Sequence, residues 1–241
     1  VNPADFFLFG VYPYICLTVF FVGSLIRFDR DQYTWKSDSS QLLKRGQLRW
    51  GSNLFHVGVL FLFFGHFFGM LTPHFVYEHF VDAGSKQMLA MVSGGTAGFL
   101  AFVGVSLLLQ RRLFEPRIRI NSKTSDIVLL VLLWLQLALG LATIPLSAQH
   151  LDGSMMVRLA EWGQRIVTLR SGAPELLANA GWTFKAHMLL GMSIFLIFPF
   201  TRLVHVWSGF GAAAYLVRPY QVVRARRLDL PAGHNQPRHE G

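Results

Sequence analysis

The stretch FHVGVLFLFFGHFFG, residues 55–69, is built of phenylalanine, leucine, valine and glycine without a single charge, yet it contains His56 and His66. The uncharged run around it extends from 54 to 71, close to the roughly 20 apolar residues that a helix needs to cross a bilayer. Further runs of this kind occur near 6–25, 88–109, 127–146 and 188–200, the last reaching about Trp207 if its few polar residues are tolerated. The sequence therefore predicts an all-α integral membrane bundle of five transmembrane helices. A composition with 52% apolar residues, 22 phenylalanines and only 15% charged residues fits that class and is unlike a soluble domain. No cleavable signal peptide is expected, since no basic flank precedes the first run and Arg27 follows it.

The net charge of +9 invites a nucleic-acid reading, but the distribution of the charges opposes it. Six Lys/Arg lie from Arg27 to Arg49, five from Arg111 to Lys123 and six from Arg202 to the end. Five spans put these three segments on one side of a membrane, leaving Lys86, Arg158, Arg165, Arg170 and Lys185 on the other. Seventeen against five is a strong positive-inside bias. It predicts a periplasmic N-terminus, a cytoplasmic C-terminus and no nucleic-acid partner. Residues 1–227 read as the membrane domain and 228–241 as a disordered cytoplasmic tail. The outer segment 147–181 is the longest on its side, and AEWGQRIVTLRSGAPELL within it reads as a short surface helix.

Cys16, the single cysteine, lies inside the first apolar run. The chain thus has no set of thiolates for an iron–sulfur cluster or structural zinc and no C-x-x-C-H for covalent haem. Any redox centre held by this chain needs other ligands.

Ionisable residues inside a span point to function by default. His56 and His66 lie in the second span, and His187 and His205 in the fifth. Because the two spans run in opposite directions, His66 is level with His187, and His56 with His205. On regular helices the separations are roughly 15 Å and roughly 27 Å, and 18 residues make five whole turns, so His187 and His205 point the same way. Two stacked bis-histidine b-type haems need a spacing between those values. Ten residues, however, leave His56 and His66 about 80° apart around a helix. The mismatch in rise also requires a tilted haem or an inclined fifth helix, and Pro199 is placed to bend it. Gly58, Gly65 and Gly69 leave room either for a flat macrocycle or for a neighbouring helix. Four histidines at two depths do not make one tetrahedral zinc site.

The segments SNLFHVGVLFLFFGHFFGMLTPH, RRLFEPRIR, TIPLSAQHLDGS and FPFTRLVHVWS, with YPYI and QYTW before them, resemble the gamma subunit, the dihaem cytochrome b, of membrane-bound respiratory nitrate reductase. The resemblance runs to about Arg227 and includes the order, spacing and flanks of all four histidines. It implies two haem b groups: a distal one on His66 and His187 near the periplasm, and a proximal one on His56 and His205 near the cytoplasm. It further implies quinol oxidation beside the distal haem with protons released outward. Electrons would then pass to an iron–sulfur beta subunit and a molybdenum-containing alpha subunit that reduces nitrate. Gly65 would form part of the quinol-site wall.

Lys86, opening the third span, is the candidate to hydrogen-bond a quinol oxygen; the alternative is a lysine that snorkels to the headgroups. Arg111, Arg112 and Arg202 are candidate partners of haem propionates, although basic residues on the inner side are equally expected from topology. His74, His79, His150 and Asp152 belong to the outer loops, where each is either a proton relay or a solvated loop residue. Two alternatives stay open at this stage. One is a quinone-linked cytochrome b of a sulfite-reductase-associated or heterodisulfide-reductase-like complex. The other is a haem-free transporter.

Overall fold

The computed structural model describes residues 2–31, 45–149 and 151–208. The predicted domain boundary at 227 and the tail 228–241 lie outside these residues, as does His150. The described residues contain helices and no strands. Five helical segments are long and apolar enough to cross a membrane: α1 (Pro3–Arg30), α2 (Arg45–Leu71), α3 (Ala83–Phe114), α4 (Thr124–Ser147) and, after the shorter α5 (Ser154–Val167), the span Trp182–Phe200, made of α6 (Trp182–Ile197) and the turn that follows it.

Packing follows the order α2, α3, α4, α6, α1. The α2–α3 contact is close because small residues meet in it. A Cβ on Gly58 would lie 2.5 Å from the Ala97 carbonyl oxygen and 2.8 Å from the Ala101 side chain. Of the two uses open to the glycines of α2, Gly58 therefore serves helix packing. At Gly65 and Gly69 a Cβ would meet nothing within 4 Å. The remaining surface of α2 is apolar and exposed, including Phe61, Phe64, Phe67 and Phe68, as a lipid-facing helix requires.

Prolines break the backbone ladder in α1 and after α6, and a side chain from another helix repairs each of these breaks. In α1, Phe7–Val11 winds as a π-helix, and Pro13 has no N–H to offer the Phe9 carbonyl four residues earlier. Trp162 of α5 fills that role, its indole N–H donating to the Phe9 oxygen at 3.0 Å. The helix read from the outer loop is thus more than a surface element. Its Ala160, Trp162 and Ile166 are buried, and the cluster that Trp162 and Ile166 join includes Phe9, Cys16 and Met192. It begins before the predicted stretch, at Ser154, where Gly153 takes a left-handed conformation with φ 78°. Gln164 of α5 also donates to the Met70 and Thr72 carbonyls at 2.8 and 3.3 Å, groups that the end of α2 leaves without helical donors.

The second break corrects the expectation of one continuous fifth helix. The α-helix ends at Ile197, a 3₁₀ turn covers Phe198–Phe200, Thr201 is extended at φ −115° and ψ 177°, and a second 3₁₀ turn covers Arg202–Val204. Neither the 27 Å rise nor the five-turn phasing of an ideal helix applies between His187 and His205. Proline at 199 is the cause, since its ring and missing N–H end the regular ladder.

Trp162→Phe, which keeps the aromatic bulk and removes the donor, is expected to destabilise the chain by about 1–3 kcal/mol. Thermal unfolding in detergent, followed by circular dichroism, measures it.

Candidate functional site

α2 and α6 are not packed neighbours among the described residues; α3 and α4 lie between them on one side and α1 adjoins α6 on the other. Two pairs of imidazoles face each other across the resulting gap. His56 and His205 have ring centroids 6.2 Å apart, and His66 and His187 have centroids 6.4 Å apart. These are the level pairs expected from the sequence. The 80° offset on α2 is absorbed because His205 comes from beyond the break, while His187 comes from α6 itself.

All four rings are oriented in the same manner. Nδ1 of His56 meets the Ser52 carbonyl at 2.7 Å, and Nδ1 of His66 meets that of Leu62 at 2.8 Å. Nδ1 of His205 meets the Arg202 carbonyl at 2.7 Å, and Nδ1 of His187 that of Gln136 on α4 at 3.2 Å. A carbonyl only accepts, so each Nδ1 carries the proton in these bonds and each Nε2 keeps its lone pair. Such a carbonyl partner is what fixes the tautomer of a metal-binding histidine. Two imidazoles in line on one ion, with bonds of roughly 2 Å and about 1.1 Å more to each ring centre, span about 6.3 Å. Both pairs match that length, and neither is joined by a direct ring-to-ring hydrogen bond. The residues present fit a paired-axial ligand set at two levels. Among the described residues there is no group of three or more His, Cys, Asp or Glu arranged to hold a metal ion, so a bare-ion site of the zinc type has no candidate.

Gly140 of α4 had no signal in the sequence beyond its position in an apolar run. A Cβ there would lie 2.9 Å from Cε1 of His187, so only glycine leaves the ring room against α4. Gly65 lies one residue before His66 on a side left open.

On the side of His66 and His187, Lys86 occupies the first turn of α3. Asp82 caps that helix by accepting from the Ser85 amide at 2.9 Å, and its hydrogen bonds from Ser85 hold the Asp82 carboxyl below the ordinary range. The Lys86 ammonium does not reach outward as a snorkelling lysine would. It is buried, has no hydrogen-bond partner, and sits 3.2 Å from the centroid of the Tyr77 ring. Tyr77 lies in the short helix His74–Tyr77, and burial, with Glu78 adding to it, pushes its phenol pKa up. His74 pairs with Glu78 at 2.6 Å and packs its ring edge-on to Tyr77, with centroids 5.0 Å apart. Asp152 accepts from the Ser154 amide and hydroxyl, capping α5. The sequence pointed to Lys86 and passed over Tyr77, whose only cue was an aromatic residue in the loop preceding it.

At the opposite end, Arg111 is buried at 3% exposure. Arg112 and Arg202 both donate to one Asp126 carboxylate oxygen at 3.3 Å, and Arg112 also reaches Ser122. Asp126, in the first turn of α4, was not singled out from sequence. Two guanidiniums on one carboxylate leave a net positive site close to His205.

The fold defines a multi-pass helical membrane protein in which two imidazole pairs face each other between non-adjacent helices. The chain belongs to the nitrate reductase gamma subunit family, whose family model matches residues 5–226. It is similar to the respiratory nitrate reductase 2 gamma chain of Escherichia coli K12, at 54% identity over 94% of this chain and 100% of the relative. The corresponding figures are 51%, 92% and 98% for the respiratory nitrate reductase 1 gamma chain of that organism. They are 38%, 91% and 97% for the nitrate reductase gamma chain of Bacillus subtilis 168. As a gamma subunit it is the membrane cytochrome b subunit of a quinol:nitrate oxidoreductase, associates with alpha and beta subunits, and resides in a bacterial inner membrane.

Gly140→Ala, which drives a methyl group into His187, is expected to cost about 1–3 kcal/mol as an overpacking change. Gly94→Ala, where a Cβ meets nothing within 4 Å, is the control and should leave stability unchanged or raise it by up to about 1 kcal/mol, as alanine for glycine inside a helix does.

Proposed function

We propose that this chain holds two b-type haems, His66 with His187 and His56 with His205, and oxidises quinol beside the first of them. The observation that carries the reading is the pair of imidazole separations, 6.2 and 6.4 Å, with every Nδ1 already bound to a carbonyl. Haems bound there supply one-electron carriage across the bundle. The four histidines present their Nε2 atoms to the two irons, and the carbonyls of Ser52, Leu62, Gln136 and Arg202 hold the rings in place. Arg111, Arg112 and Arg202 lie at the end where the propionates of the lower haem would need cationic partners; Asp126 already holds Arg112 and Arg202 there.

Lys86 supplies the polar end of the quinol site. Its ammonium is buried without an acceptor, and a quinol oxygen would be that acceptor. Tyr77 keeps the ammonium in position by offering its ring face, and the open side of Gly65 forms part of the wall. Each quinol gives up two electrons and two protons to become quinone. The protons leave toward the outer face, and the electrons continue to the iron–sulfur beta subunit and then to the molybdenum-containing alpha subunit, where nitrate is reduced. The N-terminus is periplasmic and the C-terminus cytoplasmic, which the positive-inside asymmetry supports.

His66→Ala and His187→Ala should each remove one of two low-spin haem signals in a reduced-minus-oxidised spectrum, together with quinol oxidation. His56→Ala and His205→Ala should remove the other signal. Retention of both signals in all four variants would falsify the ligand assignment. Lys86→Ala should lower quinol-dependent nitrate reduction by roughly 10-fold or more while both haems stay bound. Tyr77→Phe, which keeps the ring face, should retain most activity; Tyr77→Leu should raise the KM for quinol.

A further inference from the structure

The segment that delivers His205 is neither α-helix nor loop on a surface, and its backbone needs donors that a regular helix would have supplied. Pro199 and Val204 are fully buried. Thr201 settles part of the need locally: its hydroxyl donates to the Phe198 carbonyl at 3.0 Å and accepts from the Leu203 amide at 3.2 Å. The carbonyls of Pro199 and Thr201 are met from another helix. Arg27, near the end of α1, directs Nη1 at both, 2.6 Å from the Pro199 oxygen and 2.8 Å from that of Thr201. One turn earlier on α1, Gly23 lets Pro199 come close: a Cβ there would lie 2.9 Å from the proline Cγ.

We propose that Arg27, with Gly23 as the seat for Pro199, is the positioning residue of the His56–His205 site, acting through the carbonyls of the broken helix. The inference rests on the haem reading above for its function and on the geometry alone for its structural half. Arg27 holds the 199–201 backbone from α1. Asp126 holds the Arg202 side chain from α4 at 3.3 Å. The Arg202 carbonyl, fixed between them, accepts from Nδ1 of His205 at 2.7 Å and so sets the angle of the ring facing His56. Without the guanidinium, two carbonyls face an apolar interior without that charged donor, and the turn has reason to rewind or shift. An ordinary topological arginine would have no such stake: any inner-side cation would serve, and neither pair of histidines would respond selectively. The upper pair is insulated from Arg27, because His187 is set by Gln136 and Gly140 on α4.

The test uses the assembled complex in membrane vesicles. The two low-spin haem signals in electron paramagnetic resonance are first assigned with His56→Ala and His66→Ala. Arg27→Met is expected to shift the g-values of the His56–His205 signal and weaken haem retention there by about 10-fold or more, the usual effect of removing an outer partner, while the His66–His187 signal stays unchanged. Gly23→Ala should alter the same signal in the same direction by pushing Pro199 off α1. Unchanged lower-site g-values in Arg27→Met overturn the proposal. Should Arg27→Met lose both signals, Gly23→Ala decides: a lower-site shift supports the proposal and no shift overturns it. Amide hydrogen exchange across residues 200–205 supplies a readout that needs no haem. Faster exchange in Arg27→Met is expected; equal exchange would defeat the structural half even if the haem assignment failed for other reasons.

Discussion

A backbone carbonyl inside a membrane has no water to turn to, and the architecture of this chain depends on how that constraint is met. Three places show how: at the π-helical start of α1, the end of α2 and the stretch after α6, carbonyls without helical donors accept from side chains of other helices, namely Trp162, Gln164 and Arg27. These repairs are long-range, linking residues 153, 94 and 172 positions apart. They join α5 and the C-terminal end of α1 to the helices that carry histidines.

The same constraint explains the histidines. An imidazole in an apolar bundle must satisfy Nδ1, and here a backbone carbonyl does so in all four cases. That leaves four Nε2 lone pairs facing inward across a gap between helices that do not pack against each other. A bundle whose only purpose was structural would close such a gap, since dispersion contacts between helices drive association in lipid. The two imidazole pairs, one between α2 and α6 and one between α2 and the segment after α6, keep one centroid separation within 0.2 Å.

Much of this was legible in the sequence, and the reasons for the gaps are physical. Spans are visible because the solvent is hydrocarbon, which imposes a length and composition on each one. Level pairing of the histidines follows from antiparallel direction and needs no side-chain detail. The failure came where the rise of an ideal helix was carried through Pro199, since a proline marks a break but does not say how the chain resumes beyond it. Glycines were ambiguous for a similar reason: Gly58 and Gly65 are seven residues apart on one helix, yet one packs on α3 and the other faces open space. Asp126, Gly140 and Tyr77 escaped notice, and Arg27 was read only as a topological charge, because their importance lies in what another helix places beside them. The match in family membership follows from the four histidines with their flanks, which constrain two helices at once.

Lys86 shows how far energetic reasoning alone reaches. A cation in the first turn of a helix faces the positive end of the macrodipole, and burial removes its hydration as well. The face of Tyr77 offsets part of this, by about 2 kcal/mol for a desolvated pair. Asp82, the nearest acid by sequence, is committed to the Ser85 cap, and its carboxylate makes no ion pair with the ammonium. The short lever of three residues between Asp82 and Ser85 keeps it there. A lysine free to snorkel would lie in the headgroups at lower cost, and the stem is long enough to let it do so. The ammonium instead stays inside, beneath the Tyr77 ring, with its donor capacity unmet. That is the feature on which the quinol-site proposal rests.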